Sequence, residues 1–156
     1  MDEVINILKK VGAVLSNDHF VGTSGLHFDT YVNKDFLYPH TEDTKRVCEL
    51  MAENAKAFNP DVVVGPALGG IILSQWTANF LSASLGREIL GVYTEKKDGA
   101  QAFTRGYDSF ITGKKILIVE DITTTGGSVI QLINLVKDAG GEVCGCLLYT
   151  SDAADE

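Results

Sequence analysis

Cysteine is scarce in this chain: three residues in 156, at Cys48, Cys144 and Cys146. They show neither a metal-ligand spacing nor a paired framework, which excludes a disulfide scaffold and makes a reducing, cytoplasmic compartment the expectation. No apolar run approaches the roughly 20 residues that span a bilayer, so no membrane role is expected. Basic residues are outnumbered, 13 Lys and Arg against 21 Asp and Glu, for a net charge of −8. That balance argues against a broad nucleic-acid-binding face. It does not exclude a small anionic ligand, which a few local groups can hold. The start, Met1-Asp2-Glu3, is acidic where a secretory signal would be basic. Internal repeats and linker-like stretches are absent.

What is present is ordinary globular material, 45% hydrophobic and 22% charged, of a length that suits about one domain. Val4, Ile5, Leu8, Val11 and Leu15 recur at helical steps, predicting an amphipathic helix over residues 2–15 capped by Asp2. A turn at Gly22-Thr23-Ser24-Gly25 leads into an extended stretch around 26–32. Thr41 reads as the N-cap of a helix that carries Val47, Leu50, Met51 and Phe58 and ends before Pro60. From there the chain alternates. Strands are predicted at 61–65, 89–93, 115–120 and from 142, and helices at 71–85 and 128–139. Continuous apolar strands alternating with helices predict an α/β domain, its parallel sheet covered on both faces. Ligands of such sheets sit beyond the carboxyl ends of the strands, which directs attention to loops 65–70, 94–107 and 120–128. Trp76 and Phe80, four apart on a helix, read as core, and Cys48 as buried packing.

The strongest signal is Leu117–Ser128, LIVEDITTTGGS. A buried strand runs into two acids, then hydroxyls and glycines, then a helix. Glycines allow a tight turn that presents successive N–H groups, and the helix start adds partial positive charge. Thr123, Thr124, Thr125 and Ser128 add hydroxyl donors around Gly126 and Gly127. Together they form a phosphate cradle without the lysine of a Walker loop. Glu120 and Asp121 would repel phosphate, so they need another partner, and vicinal sugar hydroxyls fit. The implied group is a ribose 5-phosphate.

This stretch resembles the signature of the type I phosphoribosyltransferases, which bind phosphoribosyl pyrophosphate (PRPP). The resemblance extends to Asp61–Leu73 (DVVVGPALGGIIL), similar to the family's first strand and pyrophosphate loop. Ser24–Lys34 (SGLHFDTYVNK) and Glu95–Tyr107 (EKKDGAQAFTRGY) are most similar to the orotate-specific branch. The resemblance implies a type I phosphoribosyltransferase fold with a small N-terminal hood over residues 1–40 and a core over 41–145. It implies transfer of phosphoribosyl from PRPP to orotate, giving orotidine 5′-monophosphate and pyrophosphate in pyrimidine nucleotide biosynthesis. In that reading Glu120 and Asp121 hold the ribose, and Thr123, Thr124, Thr125, Gly126, Gly127 and Ser128 hold the 5-phosphate. Gly65, Pro66, Ala67, Leu68, Gly69 and Gly70 face the pyrophosphate.

Residues 94–107, polar and glycine-containing, read as a mobile lid whose cations Lys96, Lys97 and Arg105 are the catalytic candidates. Charge builds on departing pyrophosphate, and cations there stabilise the transition state. His27, Tyr31 and Lys34 are candidates for the base: a ring face from Tyr31, positive or hydrogen-bonding groups from the other two. Lys34 could equally pair with its neighbour Asp35, and His27 could be a hydrogen-bonded structural residue. Mg²⁺ is the implied cofactor, carried mainly by PRPP oxygens with no protein metal cage, and a homodimer is the implied assembly. A purine or other-base phosphoribosyltransferase, or a PRPP-sensing regulator without catalysis, are the alternatives.

The last eleven residues, 146–156, read CLLYTSDAADE. They match one reading frame of a transposon-type sequencing adapter. The expectation is therefore that native sequence ends at Gly145, with 146–156 a foreign tail and the C-terminus truncated.

Overall fold

A computed structural model of the chain describes residues 2–21, 25, 27–123 and 126–151. Gly22, Thr23 and Ser24 of the expected turn, Leu26 of the expected extended stretch, Thr124 and Thr125 of the expected cradle, and positions 152–156 of the expected tail lie outside the described residues.

Helix α1 (Asp2–Lys10) is shorter than the periodicity predicts. Its end is set by Gly12, whose φ of +74° lets the chain turn back so that the Ala13 N–H reaches the Leu8 carbonyl. Val14 and Leu15 then enter strand β1 (Val14–Val21), which pairs antiparallel with β2 (His27–Val32) as a separate two-stranded hood. A 3₁₀ turn at Lys34–Phe36 leads to α2 (Thr41–Ala55). His40, not Thr41, is the N-cap of α2, and no side chain caps it. Thr41 is already helical, so the boundary lies one residue earlier than predicted.

The main sheet contains β3 (Val62–Pro66), β4 (Leu90–Lys97), β5 (Ala100–Ala102), β6 (Lys115–Thr123) and β7 (Glu142–Ser151) in the order β5-β4-β3-β6-β7. Strands β4, β3, β6 and β7 are mutually parallel, and only β5 runs antiparallel. Helices α3 (Gly69–Leu85) and α4 (Gly127–Asp138) make the crossovers. Alternate residues of the central strands feed two cores. Val63, Leu117 and Val119 join α1, α2 and α3 on one face. Val62, Val64, Ile116 and Ile118 join Leu132 and Val136 of α4 on the other. Burial on both faces is why these strands read as unbroken apolar runs.

Two further expectations are corrected. The 94–107 segment is not an aperiodic loop: β4 continues through Lys97, turns at Asp98 and Gly99 (φ +52° and +82°), and returns as β5. Asp-Gly is a two-residue hairpin signal, and its weight exceeds that of the polar composition. Trp76 is not core but 38% exposed, stacked on Phe80 at 5.9 Å along the outer face of α3. Cys48 is fully buried. Strand β7 pairs in parallel with β6 on both sides of the expected Gly145–Cys146 boundary, Leu117 facing Gly145 and Thr123 facing Ser151, with one irregularity in register just before Gly145. Among the described residues no helix is long and apolar enough to cross a membrane.

Candidate active site

Because β3, β4 and β6 are parallel neighbours, their carboxyl ends share one sheet edge. Three segments lie there: 65–70 at the end of β3, the β4–β5 hairpin, and the end of β6 with Gly126 and Gly127 at the start of α4.

Glu120 and Asp121 lie in the second half of β6 and are both buried, at 6% and 1% exposure. Burial of a charge is costly unless it is paired, and each acid is engaged. Glu120 accepts from the Ser128 hydroxyl at 2.9 Å, across the loop that joins β6 to α4. Burial pushes its carboxyl up to about 7, helped by the neighbouring charge of Asp121 and opposed by the Ser128 hydrogen bond and by Lys34. Asp121 is more heavily bound. Its Oδ1 accepts from Lys34 Nζ at 2.9 Å and from the Ile122 N–H at 2.8 Å. Its Oδ2 accepts from the Tyr38 hydroxyl at 2.8 Å and lies 2.8 Å from Lys34 Nζ. Lys34 therefore pairs with an acid 87 positions away and not with its neighbour Asp35.

The glycines of the 65–70 loop are dictated by space. A Cβ on Gly69 would lie 2.0 Å from Asp121 Oδ2 and 2.2 Å from the Tyr38 hydroxyl. A Cβ on Gly65 would lie 2.2 Å from the Gly70 carbonyl oxygen, and one on Gly70 would strike Gly65 and Pro66. The loop backbone is thus pressed against the acid pocket, and α3 begins at Gly69, which sets its first turn at this edge. The Ala67–Leu68 peptide is cis, and Leu68 is 83% exposed. On the other side Gly126 (φ +71°) caps α4, its N–H bonded to Thr123 Oγ1 at 2.8 Å.

The lid cations are held more loosely. Lys96 faces Gln101 and Lys97 faces Ala100 across the hairpin, and both lysines are exposed, without an ion pair among the described residues. Arg105 (φ +61°) contacts Glu95 Oε1 at 3.3 Å, while Thr104 donates to the other oxygen of Glu95. In the hood, the His27 and His19 rings stack, Nδ1 to Nε2 2.5 Å apart, on the exposed face of the β1–β2 pair. Tyr31 is 44% exposed and tilted against Phe20 at 5.5 Å. Of the three base candidates only Lys34 reaches the acid pocket. Tyr38 is a site residue that sequence reasoning missed. Its partner is 83 residues distant, and nothing local in Leu37-Tyr38-Pro39 signals it.

The phosphoribosyl transferase domain family matches residues 37–155, a span that holds the acids, both glycine loops and the lid. The chain belongs to the phosphoribosyltransferase family. Among phosphoribosyltransferases it is 39% identical over 144 residues to the orotate phosphoribosyltransferase of Desulforamulus reducens, covering 92% of this chain and 71% of that one. Its fold matches a phosphoribosyltransferase from Corynebacterium diphtheriae with a TM-score of 0.73 at 27% identity, covering 99% of this chain and 86% of the other. It also matches the Mycobacterium tuberculosis orotate phosphoribosyltransferase solved with PRPP, at TM-score 0.64 and 21% identity, over 95% of this chain and 75% of that one.

Proposed function

We propose that this chain transfers the 5-phosphoribosyl group of PRPP to orotate, giving orotidine 5′-monophosphate and pyrophosphate. The observation that carries the PRPP half is the joining of two buried acids to two glycine-framed helix starts at one sheet edge. Acids alone would repel phosphate, and helix starts alone would take any anion. Side by side they suit a sugar that carries hydroxyls between a phosphate and a pyrophosphate. The orotate half is supported by relatives such as that of D. reducens.

In this reading Glu120 and Asp121 accept hydrogen bonds from the ribose hydroxyls. The Thr123–Ser128 turn holds the 5-phosphate, and Gly65–Gly70 offers N–H groups to the pyrophosphate. Lys96, Lys97 and Arg105 close over the leaving group and meet its growing charge, while closure keeps water from the ribosyl centre. No covalent nucleophile is needed. The Cys48 thiol, pushed up to about 12 by burial, is suited to packing only. Mg²⁺ fits as a companion of PRPP. Among the described residues no group of three or more His, Cys, Asp or Glu could cage a metal, and the two acids are engaged elsewhere. When bound, the cation neutralises pyrophosphate charge. A homodimer and a cytoplasmic site complete the proposal.

The test is pyrophosphate release from PRPP with orotate, with adenine or guanine, and with no base. Turnover with orotate alone is expected. Turnover with a purine but not orotate would move the assignment to another base, and PRPP binding without turnover would make the chain a sensor.

A further inference from the structure

Asp121 poses a problem for any ribose that would bind it. An ionised carboxylate has about four acceptor positions. In this pocket Lys34, Tyr38 and the Ile122 N–H fill them, and the side chain is 1% exposed. A sugar hydroxyl can donate to Asp121 only if one of these donors leaves. The Ile122 N–H is backbone within β6. The Tyr38 ring packs against the core cluster of α1, α2 and α3, and its hydroxyl lies against Gly69. Lys34 differs from both: its side chain is 38% exposed, and it is a flexible stem at a three-residue 3₁₀ turn beside the hood. It is the donor that can move.

We propose that Lys34 is a positioning residue that couples the two substrates, resting on Asp121 in the empty site and released by the ribose of the first substrate to meet the carboxylate of the second. This rests on the orotate reading above, since it needs a base that carries an anionic group. Before binding, the lysine stabilises a buried carboxylate and keeps it aimed. When the ribose hydroxyls take over Asp121, an ammonium is left next to the base side of the site with no anion. Orotate supplies one. A neutral base such as adenine would not, so the same exchange favours an acidic pyrimidine over a purine. The coupling is reciprocal: whatever factor the sugar adds to orotate affinity, orotate adds to sugar affinity.

Two experiments decide it. In the first, crystals of the wild-type chain are grown with ribose 5-phosphate, which carries the sugar and phosphate but no leaving group. Lys34 Nζ is expected beyond ion-pair distance of both Asp121 oxygens. A lysine still bound to Asp121 with the sugar in place overturns the proposal, whatever the base. In the second, orotate is titrated calorimetrically with and without ribose 5-phosphate. For the wild type, the sugar phosphate is expected to tighten orotate by about 10-fold or more, within the usual range of site-to-site coupling. Lys34→Met, which keeps the stem and removes the charge, should bring that factor close to one, and Lys34→Arg should retain most of it. A merely structural lysine would change both titrations of the variant alike and leave their ratio intact, and that result also overturns the proposal. If wild-type protein binds no orotate in either titration, the orotate reading fails and the coupling falls with it, while the crystal still decides the displacement. Thermal melts of both variants check that they fold.

Discussion

The acid pocket after β6 and the hairpin after β4 stand at the same edge of one sheet and are built in opposite ways. In the pocket the acceptors are fixed: Asp121 is 1% exposed with both oxygens doubly engaged, and Gly69 leaves no room for even a methyl group. In the hairpin the charged groups are exposed, Arg105 is 60% accessible and held by Glu95, and a Cβ on Gly99 would meet nothing within 4 Å. The difference separates two tasks. Recognition of a ribose needs acceptors held in place before binding, so that no ordering cost is paid afterwards. Closing over a leaving group needs cations that can travel, and those cannot be buried in advance.

The sharpest way to break this contrast is to add one carbon to the pocket. Gly69→Ala drives a methyl into Asp121 and Tyr38, and overpacking of this kind costs about 1–3 kcal/mol. PRPP affinity is expected to fall by more than any hairpin substitution achieves, with a lower melting temperature, read by calorimetry and thermal melts. The hairpin should behave differently. Replacing Lys96, Lys97 and Arg105 together by alanine is expected to lower kcat by about 100-fold, the scale of losing a transition-state charge partner, while ribose 5-phosphate affinity stays as it was. A matched fall in both would mean that the hairpin also holds the ground state.

Acidity offers a smaller and graded test. The carboxyl of Glu120 is raised, to about 7, so the carboxylate that accepts ribose hydroxyls is present above that pH and is lost as pH falls through it. PRPP affinity is expected to weaken by up to about tenfold per pH unit below 7, and Glu120→Gln should remove this dependence on the protein's side. The smallest effect belongs to Gly99→Ala. Its φ of +82° strains any side chain, at about 1 kcal/mol, so stability should drop slightly with PRPP affinity unchanged.

The same two regions differ in how far they can be read from sequence. The pocket's chain-local half is written in order, strand, Glu120-Asp121, hydroxyls, glycines, helix, because each piece of that chemistry lies within twelve residues. Its other half is not. Tyr38 and Lys34 reach Asp121 across 83 and 87 positions, and only tertiary packing brings them there. Gly69 is visible as a glycine, but the reason it must be one is visible only once the Asp121 carboxylate is seen against it. In the hairpin the polar composition of 94–107 suggested a loop, whereas the Asp98-Gly99 pair carried the information that β4 turns and returns. The end of α1 was missed for a similar reason: Val11 and Leu15 continue the helical spacing past Gly12, and a positive-φ glycine overrides the pattern.

The claim on which the account depends is that the acids closing β6 hold the ribose of PRPP. Titration of PRPP into Asp121→Asn at pH 8, beside the wild type, tests it most directly. Asparagine keeps the shape of the side chain and removes the charge, so an unchanged melting temperature with PRPP affinity weakened by about tenfold or more, the scale of a charge-assisted hydrogen bond, is the predicted result. An Asp121→Asn protein that folds and binds PRPP as tightly as the wild type would contradict it.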